Sequence, residues 1–513
     1  MKLSVIIVNY NVCSFLEQCL RSVQRSEGLD YRQDLEVWVV DNASADDSVA
    51  MVKSRFPWVR CIENKENVGF AKANNQAIAL AGGDYILLLN PDTVLEENTL
   101  SVCLAFMDAH PEAGGLGVRM LDGNGRFLPE SKRGLPTPET AFYKMAGLAR
   151  LFPRSPRFAR YYMGHLDDNK TSEVEVLSGA FMMMPKRVLD EVGYLDETYF
   201  MYGEDIDLSY RITLGGYRNY YLADTRIVHY KGESTKKGSL NYVRVFYKAM
   251  EIFVSRYFSG ALGGVYAVLL KGAIWFRASF SFCKRLLRHS FLPLWDFFWA
   301  YGFLLGLSYL WGEVAFGDRH YYSEVYRRFI LWVYAAVLVT GGLSVGAYRN
   351  PMRFRKTMAG YGIGMLLLFV FFALAGPQWQ FSRFILVAGS VGCALTAWAW
   401  RYVWQALLPG RWILGNGRAR RYLLAGRPAE QETVHRWLLE KGVSADYVGL
   451  MVWPMTESQL RDRIRMDRVS EVVFCSPDVP FSDMVRWMEA CRAAGAEYSS
   501  FSEAGGKVAG QKF

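Results

Sequence analysis

Two regimes of hydrophobic patterning divide the chain. Over residues 1–235, short apolar runs alternate with longer, more polar stretches. The runs Leu3–Val8, Leu35–Val40, Tyr85–Leu89, Gly115–Met120 and Phe181–Pro185 have the length of buried strands, and helical stretches such as Ser14–Arg25 and Phe70–Ala81 separate the first three. Such alternation predicts βαβ units and a mostly parallel sheet, with ligands bound beyond the carboxyl ends of the strands. At the amino terminus, the run Val5 to Val8 is cut by Asn9 and is too short for a signal-peptide core. It reads as the first strand and keeps this domain in the cytoplasm.

The character changes near residue 240. Asn241–Phe258 mixes apolar and aromatic residues with basic ones, as a helix lying on a membrane does, and the apolar run Tyr257–Leu270 stops at Lys271, an interfacial length. Residues 236–290 are therefore expected to be amphipathic interfacial helices. Four longer runs, centred on 293–312, 329–347, 357–377 and 384–403, predict a four-span transmembrane region over 291–405. Nothing from Thr357 to Ser382 is charged, whereas Asp296 lies in the first run. An intramembrane carboxylate can mark a functional site; the expectation here is that Asp296 snorkels to the interface.

Lys284, Arg285 and Arg288 precede the first span, and Arg349, Arg353, Arg355 and Lys356 separate the second from the third. The segment 376–383 carries a single charge. The positive-inside rule places both basic clusters in the cytoplasm, and four spans then return the chain to the cytoplasmic side, so both termini are cytoplasmic. A fifth span at 257–280 would put Lys284–Arg288 outside and is rejected.

Residues 411–513 are polar again and read as a small Rossmann-like α/β domain. Its expected strands are Arg411–Leu414, Tyr447–Val452 and Glu471–Cys475, with a turn at 415–421 leading into a helix and a further helix at Ser482–Ala494. Gly415-Asn416-Gly417 would begin a dinucleotide fingerprint, but Arg420 stands where its third glycine belongs. A degenerate regulatory or scaffolding domain is the better reading.

Composition agrees with this division. A length of 513 residues suggests three or four structural units. A hydrophobic fraction of 51% with 21% charged residues excludes a wholly disordered chain. The net charge is +9 and the mean hydropathy +0.03, an average over polar and membrane parts. Eight cysteines form no CxxC pair and no ligand-like cluster, which argues against a disulfide framework or a structural zinc site and for a reducing compartment. No nucleic-acid partner is expected.

Chemistry-bearing residues fall at the predicted strand ends. Asn9 and Tyr10 follow the first strand and Asp41 follows the second, where a nucleotide's base and ribose would find donors and acceptors. Taken singly, helix capping explains Asn9 and Asp41 at least as well. Asn67, Gly69 and Asn74 open the next helix, where a glycine permits close backbone approach and the helix start favours anions. The run Leu87–Leu89 delivers Asn90-Pro91-Asp92, a carboxylate able to hold Mg²⁺ or Mn²⁺ against a diphosphate, or else an ordinary turn.

Glu204, Asp205 and Asp207 crowd three carboxylates into four positions with Arg211 one turn on. Their mutual repulsion tends to raise at least one pKa, which suits a general base. His229 follows the strand Arg226–Val228 and becomes a metal-ligand candidate once a carboxylate site is proposed.

As a set, SVIIVNYN, VVDNASADDS, ENVGFAKANNQA, LLLNPDT, LSGAFMMMPKRVL, GYLDETYFMYGEDIDLSYR and HYKGES resemble, in order and over about 230 residues, the family-2 inverting glycosyltransferases of GT-A fold, especially rhamnosyltransferases and galactofuranosyltransferases. The resemblance implies a nucleotide-sugar-binding α/β domain over 1–235 and a single in-line displacement with inversion. Asp41 then takes the nucleotide base, with Asn9, Tyr10, Asn67, Gly69, Asn74 and Asn90 around the nucleotide. Asp92 and His229 hold the metal, Asn90 standing where the family's metal motif has its first aspartate. Asp205 is the implied base, with Glu204 as the alternative. Ser178, Gly179 and Ala180, with Asp207 and Arg211, fall near the donor sugar or acceptor.

The remainder resembles the non-catalytic half of polyprenyl-phosphate sugar-phosphate transferases, through Ser382-Arg383 and the stretch from Val469 to Tyr498. The implied activity is sugar transfer from dTDP-rhamnose or a UDP-sugar to a polyprenyl-diphosphate-linked saccharide at a bacterial inner membrane, with contact to membrane lipid and with oligomerisation through the membrane and carboxyl-terminal domains. Two alternatives stand beside it. One is a processive polysaccharide synthase, whose QxxRW motif is nearly matched by Gln380-Phe381-Ser382-Arg383-Phe384 but without the Trp. The other is a non-catalytic scaffold.

Overall fold

The computed structural model describes residues 2–30, 32–145, 147–230, 240–257, 261–348, 354–374, 382–407, 420–440, 445–452, 454, 456–476, 479–502 and 506–509. Lys231–Ser234, the expected strand 411–414, the glycines 415 and 417, and Gln380 and Phe381 lie outside them. Residues 1–274 with 420–513 form one compact unit, and residues 275–419 form a second.

In the first unit, strands β1 (Leu3–Asn9), β2 (Leu35–Asp41), β3 (Arg60–Glu63), β4 (Tyr85–Leu89), β5 (Thr93–Leu95), β6 (Ala113–Leu121), β7 (Ser172–Val174), β8 (Phe181–Pro185) and β9 (Arg218–His229) make one sheet. Their order is β3-β2-β1-β4-β8-β6-β9-β5, with β7 beside β9. Every residue of β1 and β2 is buried, with helices over both faces, and the two polar residues inside the runs satisfy each other, Ser4 Oγ donating to Glu36 Oε2 at 2.8 Å. The sheet is mixed rather than mostly parallel. Pairing is parallel from β3 through β2 and β1 to β4, and antiparallel from β4 to β8 and from β8 to β6. β9 runs for 12 residues where the sequence suggested three, because its alternating polar positions hid it.

The helix Leu240–Tyr257, expected to lie on a membrane, packs part of its apolar side on protein. Met250 and Phe253 are buried in a cluster with Val176 and Ile206. Those side chains are thus not available to lipid.

The carboxyl-terminal domain belongs to the same unit. Its strands β10 (Arg420–Gly426), β11 (Ala445–Val452), β12 (Glu471–Phe474), β13 (Glu497–Ser502) and β14 (Gly506–Ala509) are ordered β11-β10-β12-β13-β14. All pairs but the last are parallel. This is the arrangement of a small doubly wound sheet. Arg420 and Arg421, expected to lead into a helix, begin a strand instead.

The second unit is helical. Ser290–Phe316 (within the helix Ala261–Phe316), Phe354–Leu374 and Arg383–Trp404 are each long and apolar enough to cross a membrane. The expected span at 329–347 becomes a π-helical turn, Tyr326–Ile330, followed by the helix Leu331–Ser344. Those 14 α-helical residues reach about 21 Å, short of the roughly 30 Å of a bilayer core. So three helices, not four, qualify by length among the described residues.

Leu331–Ser344 packs closely on Phe354–Leu374 through glycines: a Cβ at Gly364 would lie 2.7 Å from Leu338 Cα, and one at Gly360 would lie 2.6 Å from Gly342 Cα. Small residues spaced four apart allow this approach of backbones. Asp296 does not snorkel. It is fully buried, with its Oδ2 2.6 Å from Arg401 Nη2 and 3.0 Å from the Tyr348 hydroxyl. The outward positions are apolar, among them Leu310, Val314, Phe329, Leu366 and Leu374.

Candidate functional site

The parallel strands bring their carboxyl ends into register, with Asn9 opposite Asp41. Asn9 Nδ2 donates to Asp41 Oδ1 at 2.8 Å and to Ser44 Oγ at 3.1 Å, and the Ser44 amide donates to Asp41 Oδ2 at 2.9 Å. Asn9 Oδ1 is buried without a partner. Such an acceptor is costly unless something donates to it, as a base N–H would. Tyr10 stands exposed beside them. Asn11 and Ala43, just beyond the two strands, both hold positive φ, at 54° and 62°. Strained backbone at adjacent strand ends is common at binding sites.

Asn67 and Gly69 serve the wall of this cleft. Asn67 Oδ1 accepts from Asn42 Nδ2 and from the Gly69 amide, at 3.2 and 3.0 Å. Gly69 has φ of 91°, and a Cβ there would meet the Phe200 carbonyl at 2.8 Å. The close approach for which the glycine is needed is therefore to Phe200. Asn74 donates to the Phe70 carbonyl within its own helix and is buried. The hub of the wall is Asn42, which sequence reasoning passed over: it also bonds Asn64 and the Gly69 carbonyl.

At the end of β4 the Asn90 amide donates to the Ala180 carbonyl at 3.0 Å, joining this edge to Ser178-Gly179-Ala180. Ala180 is buried in the apolar core, while Ser178 and Gly179 are half-buried. Asp92 follows, and the pairing of Thr93 with His229 between β5 and β9 sets its carboxylate 3.3 Å from His229 Nε2. No group of three or more His, Cys, Asp or Glu side chains suited to a metal exists among the described residues. One carboxylate and one imidazole fit Mg²⁺ or Mn²⁺ drawing its other oxygens from a diphosphate. Cys19 approaches the Asn90 carbonyl, but burial pushes its thiol up to about 12, so it is not a thiolate donor.

Tyr202 and Gly203, with φ of 67° and 90°, turn the chain into the helix Glu204–Leu214. Asp205 caps the Ser178–Gly179 edge, accepting from the Gly179 amide at 3.4 Å. Its Oδ2 is bound by the Arg133 guanidinium, which also donates to the Leu177 carbonyl. Arg133 was invisible to motif reading: it arrives through an isolated bridge with Val176, and neither spacing nor periodicity marks it. Glu204 is buried with Oε2 unpartnered, and burial, reinforced by the Asp205 charge, pushes it up to about 8.

Asp207 and Arg211 do something different from Glu204 and Asp205. Asp207 is fully buried, bound at 2.8 Å by Arg211 Nε and at 2.8 Å by the Tyr257 hydroxyl. Arg211 also donates to the carbonyls of Val192, Gly193 and Tyr194. These contacts tie the acidic helix to its neighbours.

Residues 4–193 match the family described as Glycosyl transferase family 2. The chain is 27% identical over 269 residues to N-acetylglucosaminyl-diphospho-decaprenol L-rhamnosyltransferase of Mycobacterium tuberculosis, covering 50% of this chain and 85% of that protein. It is 28% identical over 170 residues to the Rhamnosyltransferase WbbL of Escherichia coli K12, covering 32% of this chain and 61% of that one. Among solved structures, Staphylococcus aureus TarS 1–349 in complex with UDP-GlcNAc aligns at a TM-score of 0.37 and 18% identity, over 79% of this chain and 92% of TarS 1–349. Residues 4–193 are thus similar to Glycosyl transferase family 2, and they lie on the mixed α/β sheet described above.

Proposed function

We propose that the chain is a membrane-bound, metal-dependent inverting glycosyltransferase. It moves one sugar from a nucleoside-diphosphate donor, dTDP-rhamnose or a UDP-sugar, to a polyprenyl-diphosphate-linked saccharide during cell-surface polysaccharide synthesis in a bacterium. One observation carries this: Asn9 bonds Asp41 at the carboxyl ends of β1 and β2, Asp92 lies 3.3 Å from His229 just past β4, and Asp205 bonds the Gly179 amide beside Ala180, whose carbonyl accepts from the Asn90 amide. They supply a base-binding wall, a diphosphate site and a proton acceptor. The mycobacterial relative, an L-rhamnosyltransferase of N-acetylglucosaminyl-diphospho-decaprenol, supports a lipid-linked acceptor and rhamnose as the transferred sugar.

In the reaction, Asn9 and Asp41 hold the base, and Asp205 takes the proton of the acceptor hydroxyl at Oδ2 as that oxygen attacks the anomeric carbon in line. Arg133 must yield Oδ2 for this, and its guanidinium is then free to face an anion. Glu204, neutral near pH 7, keeps a second negative charge from the base. Mg²⁺ or Mn²⁺ held by Asp92 and His229 would neutralise charge on the departing diphosphate.

The proposed topology is multi-pass, with both termini in the cytoplasm. The amino- and carboxyl-terminal domains share one apolar core, in which Val228 and Tyr230 pack with Leu423, Phe474 and Trp487. That shared core supports a topology in which both domains lie on one side of the membrane with an even number of crossings between them. In that topology the π-helical turn and the helix over 326–344 together would supply a fourth crossing beside the three helices of spanning length. The basic clusters put both termini in the cytoplasm.

The test is a donor screen on detergent-solubilised full-length protein with polyprenyl-diphosphate saccharides, product read by mass, with and without Mn²⁺ or Mg²⁺ and alongside Asp205→Asn. One added sugar, dependent on metal and lost in the variant, is the expected result. A ladder of additions would indicate a processive synthase. No turnover with folded protein and any donor would indicate a scaffold.

A further inference from the structure

The carboxyl-terminal domain reaches the Asp92–His229 pair through one residue. Tyr230 directly follows His229, and its amide donates to the Asp92 carbonyl at 3.0 Å. Its ring is buried, edge-on to Phe15 at 5.4 Å, with its hydroxyl 3.9 Å from the Met484 sulfur in the helix Phe481–Ala494 of the carboxyl-terminal domain. The backbone that carries His229, and that bonds the Asp92 carbonyl, is thus pinned by a side chain whose far wall belongs to the other domain.

Polar contacts hold that wall in place. The Phe481 amide donates to Glu97 Oε1 at 2.8 Å, Gln18 Nε2 to Ser500 Oγ at 2.7 Å, and Arg492 Nη1 to the Asn124 carbonyl at 3.0 Å. They border a cavity lined by both polar and apolar side chains, among them Gln18, Arg21, Arg25, Glu97, Phe481 and Ser500.

We infer that the carboxyl-terminal domain is a positioning domain for the metal-ligand pair. By burying Tyr230 between Phe15 and Met484 it fixes the end of β9, and with it the His229 imidazole, against Asp92. Tyr230 and Met484 are positioning residues: neither touches the candidate ligands' donor atoms, and both act through the backbone that bears them. The consequence for metal affinity rests on the proposed role of Asp92 and His229. Loss of supporting contacts of this kind costs metal sites roughly 10- to 100-fold in affinity.

The experiment uses full-length protein in detergent and titrates Mn²⁺ by electron paramagnetic resonance at saturating uridine diphosphate. In parallel it follows hydrogen exchange over residues 226–230. Met484→Asp puts a charge against Tyr230; Met484→Leu is the conservative control. Gln18→Ala with Arg492→Ala removes two ties without touching the core, in case Met484→Asp does not fold.

The expected result is about a tenfold or greater loss of Mn²⁺ affinity in the disruptive variants and faster exchange at 226–230. Met484→Leu stays near wild type, and metal-free nucleotide binding changes less than about twofold. Unchanged Mn²⁺ affinity and exchange, in protein whose exchange near residues 97 and 481 shows the domains parted, would overturn the inference. Asp92→Asn in the same titration separates the two ideas. If it leaves Mn²⁺ binding intact, the metal assignment has failed, and exchange at 226–230 alone decides: faster supports the positioning role, unchanged overturns it.

Discussion

The guanidinium of Arg133 is bonded to the carboxylate of Asp205, with both side chains largely withdrawn from solvent, at 13% and 15% exposure. A carboxylate so held is preorganised but occupied, and Arg133 Nε remains buried without a partner. In the proposed role of Asp205 as base, this bond must open to release Oδ2 to an acceptor hydroxyl. Asp205→Asn keeps the shape and removes the base. It is expected to lower kcat by about 10²- to 10⁴-fold with donor KM changed little, read from initial rates at saturating acceptor. Arg133→Lys, which cannot serve Asp205 and the Leu177 carbonyl together through a planar fork, is expected to lose about tenfold in kcat/KM.

Glu204 gives a stability signature independent of turnover. Its folded pKa, about 8, lies above the unfolded value of 4.5, so folding favours the protonated acid. The stability contributed by that proton is complete below pH 4.5 and is lost as pH rises towards about 8. Glu204→Gln carries the neutral shape at every pH. Thermal unfolding is expected to show the variant equal to wild type at acid pH, and more stable by at least about 1 kcal/mol at pH 8. If Glu204 were the base, the same variant would abolish activity; with Asp205 as base it keeps a measurable fraction.

How much was legible in the sequence depended on what each residue does. β1, β2, β4 and β8 announce themselves because strands buried on both faces are predominantly apolar, with only Ser4 and Glu36 inside β1 and β2, and the ends of β1, β2 and β4 lead into Asn9, Asp41 and Asp92. Glu204 and Asp205 were visible because the crowding of carboxylates has an electrostatic cost that sequence alone reveals. Arg133 was not, since its partner lies 72 residues away and is met only after folding. Gly69 was seen, but its close neighbour is Phe200, a tertiary fact. Asp207 looked like its neighbours Glu204 and Asp205; only the partners contributed by Tyr257 and Arg211 distinguish a structural tie from a site residue.

The Asp296–Arg401 pair predicts a non-additive response in the membrane unit. Arg401 and Asp296 are 1% and 0% exposed, so neither charge can be screened by water if its partner is removed. Arg401→Met is expected to cost about 3–5 kcal/mol, because it strands a buried carboxylate. Asp296→Leu combined with Arg401→Met should recover most of that loss. A double-mutant cycle by thermal unfolding in detergent measures the coupling, and additive losses would contradict a buried pair.

The nucleotide end of the cleft makes the last prediction. Asp41 accepts from Asn9 Nδ2 and from the Ser44 amide, so both its oxygens already face donors. In Asp41→Asn an amide NH₂ must face one of those donors, and the carboxylate is gone. Hydrogen bonds to a charged group are worth about 1.5–3 kcal/mol, so donor KM should rise at least tenfold. Because the base is far from the bond that breaks, its binding is equal in the ground and transition states. Turnover at saturating donor should then stay within a few-fold of wild type. A fall in kcat with unchanged KM would place Asp41 outside the base pocket and return it to the role of a helix cap.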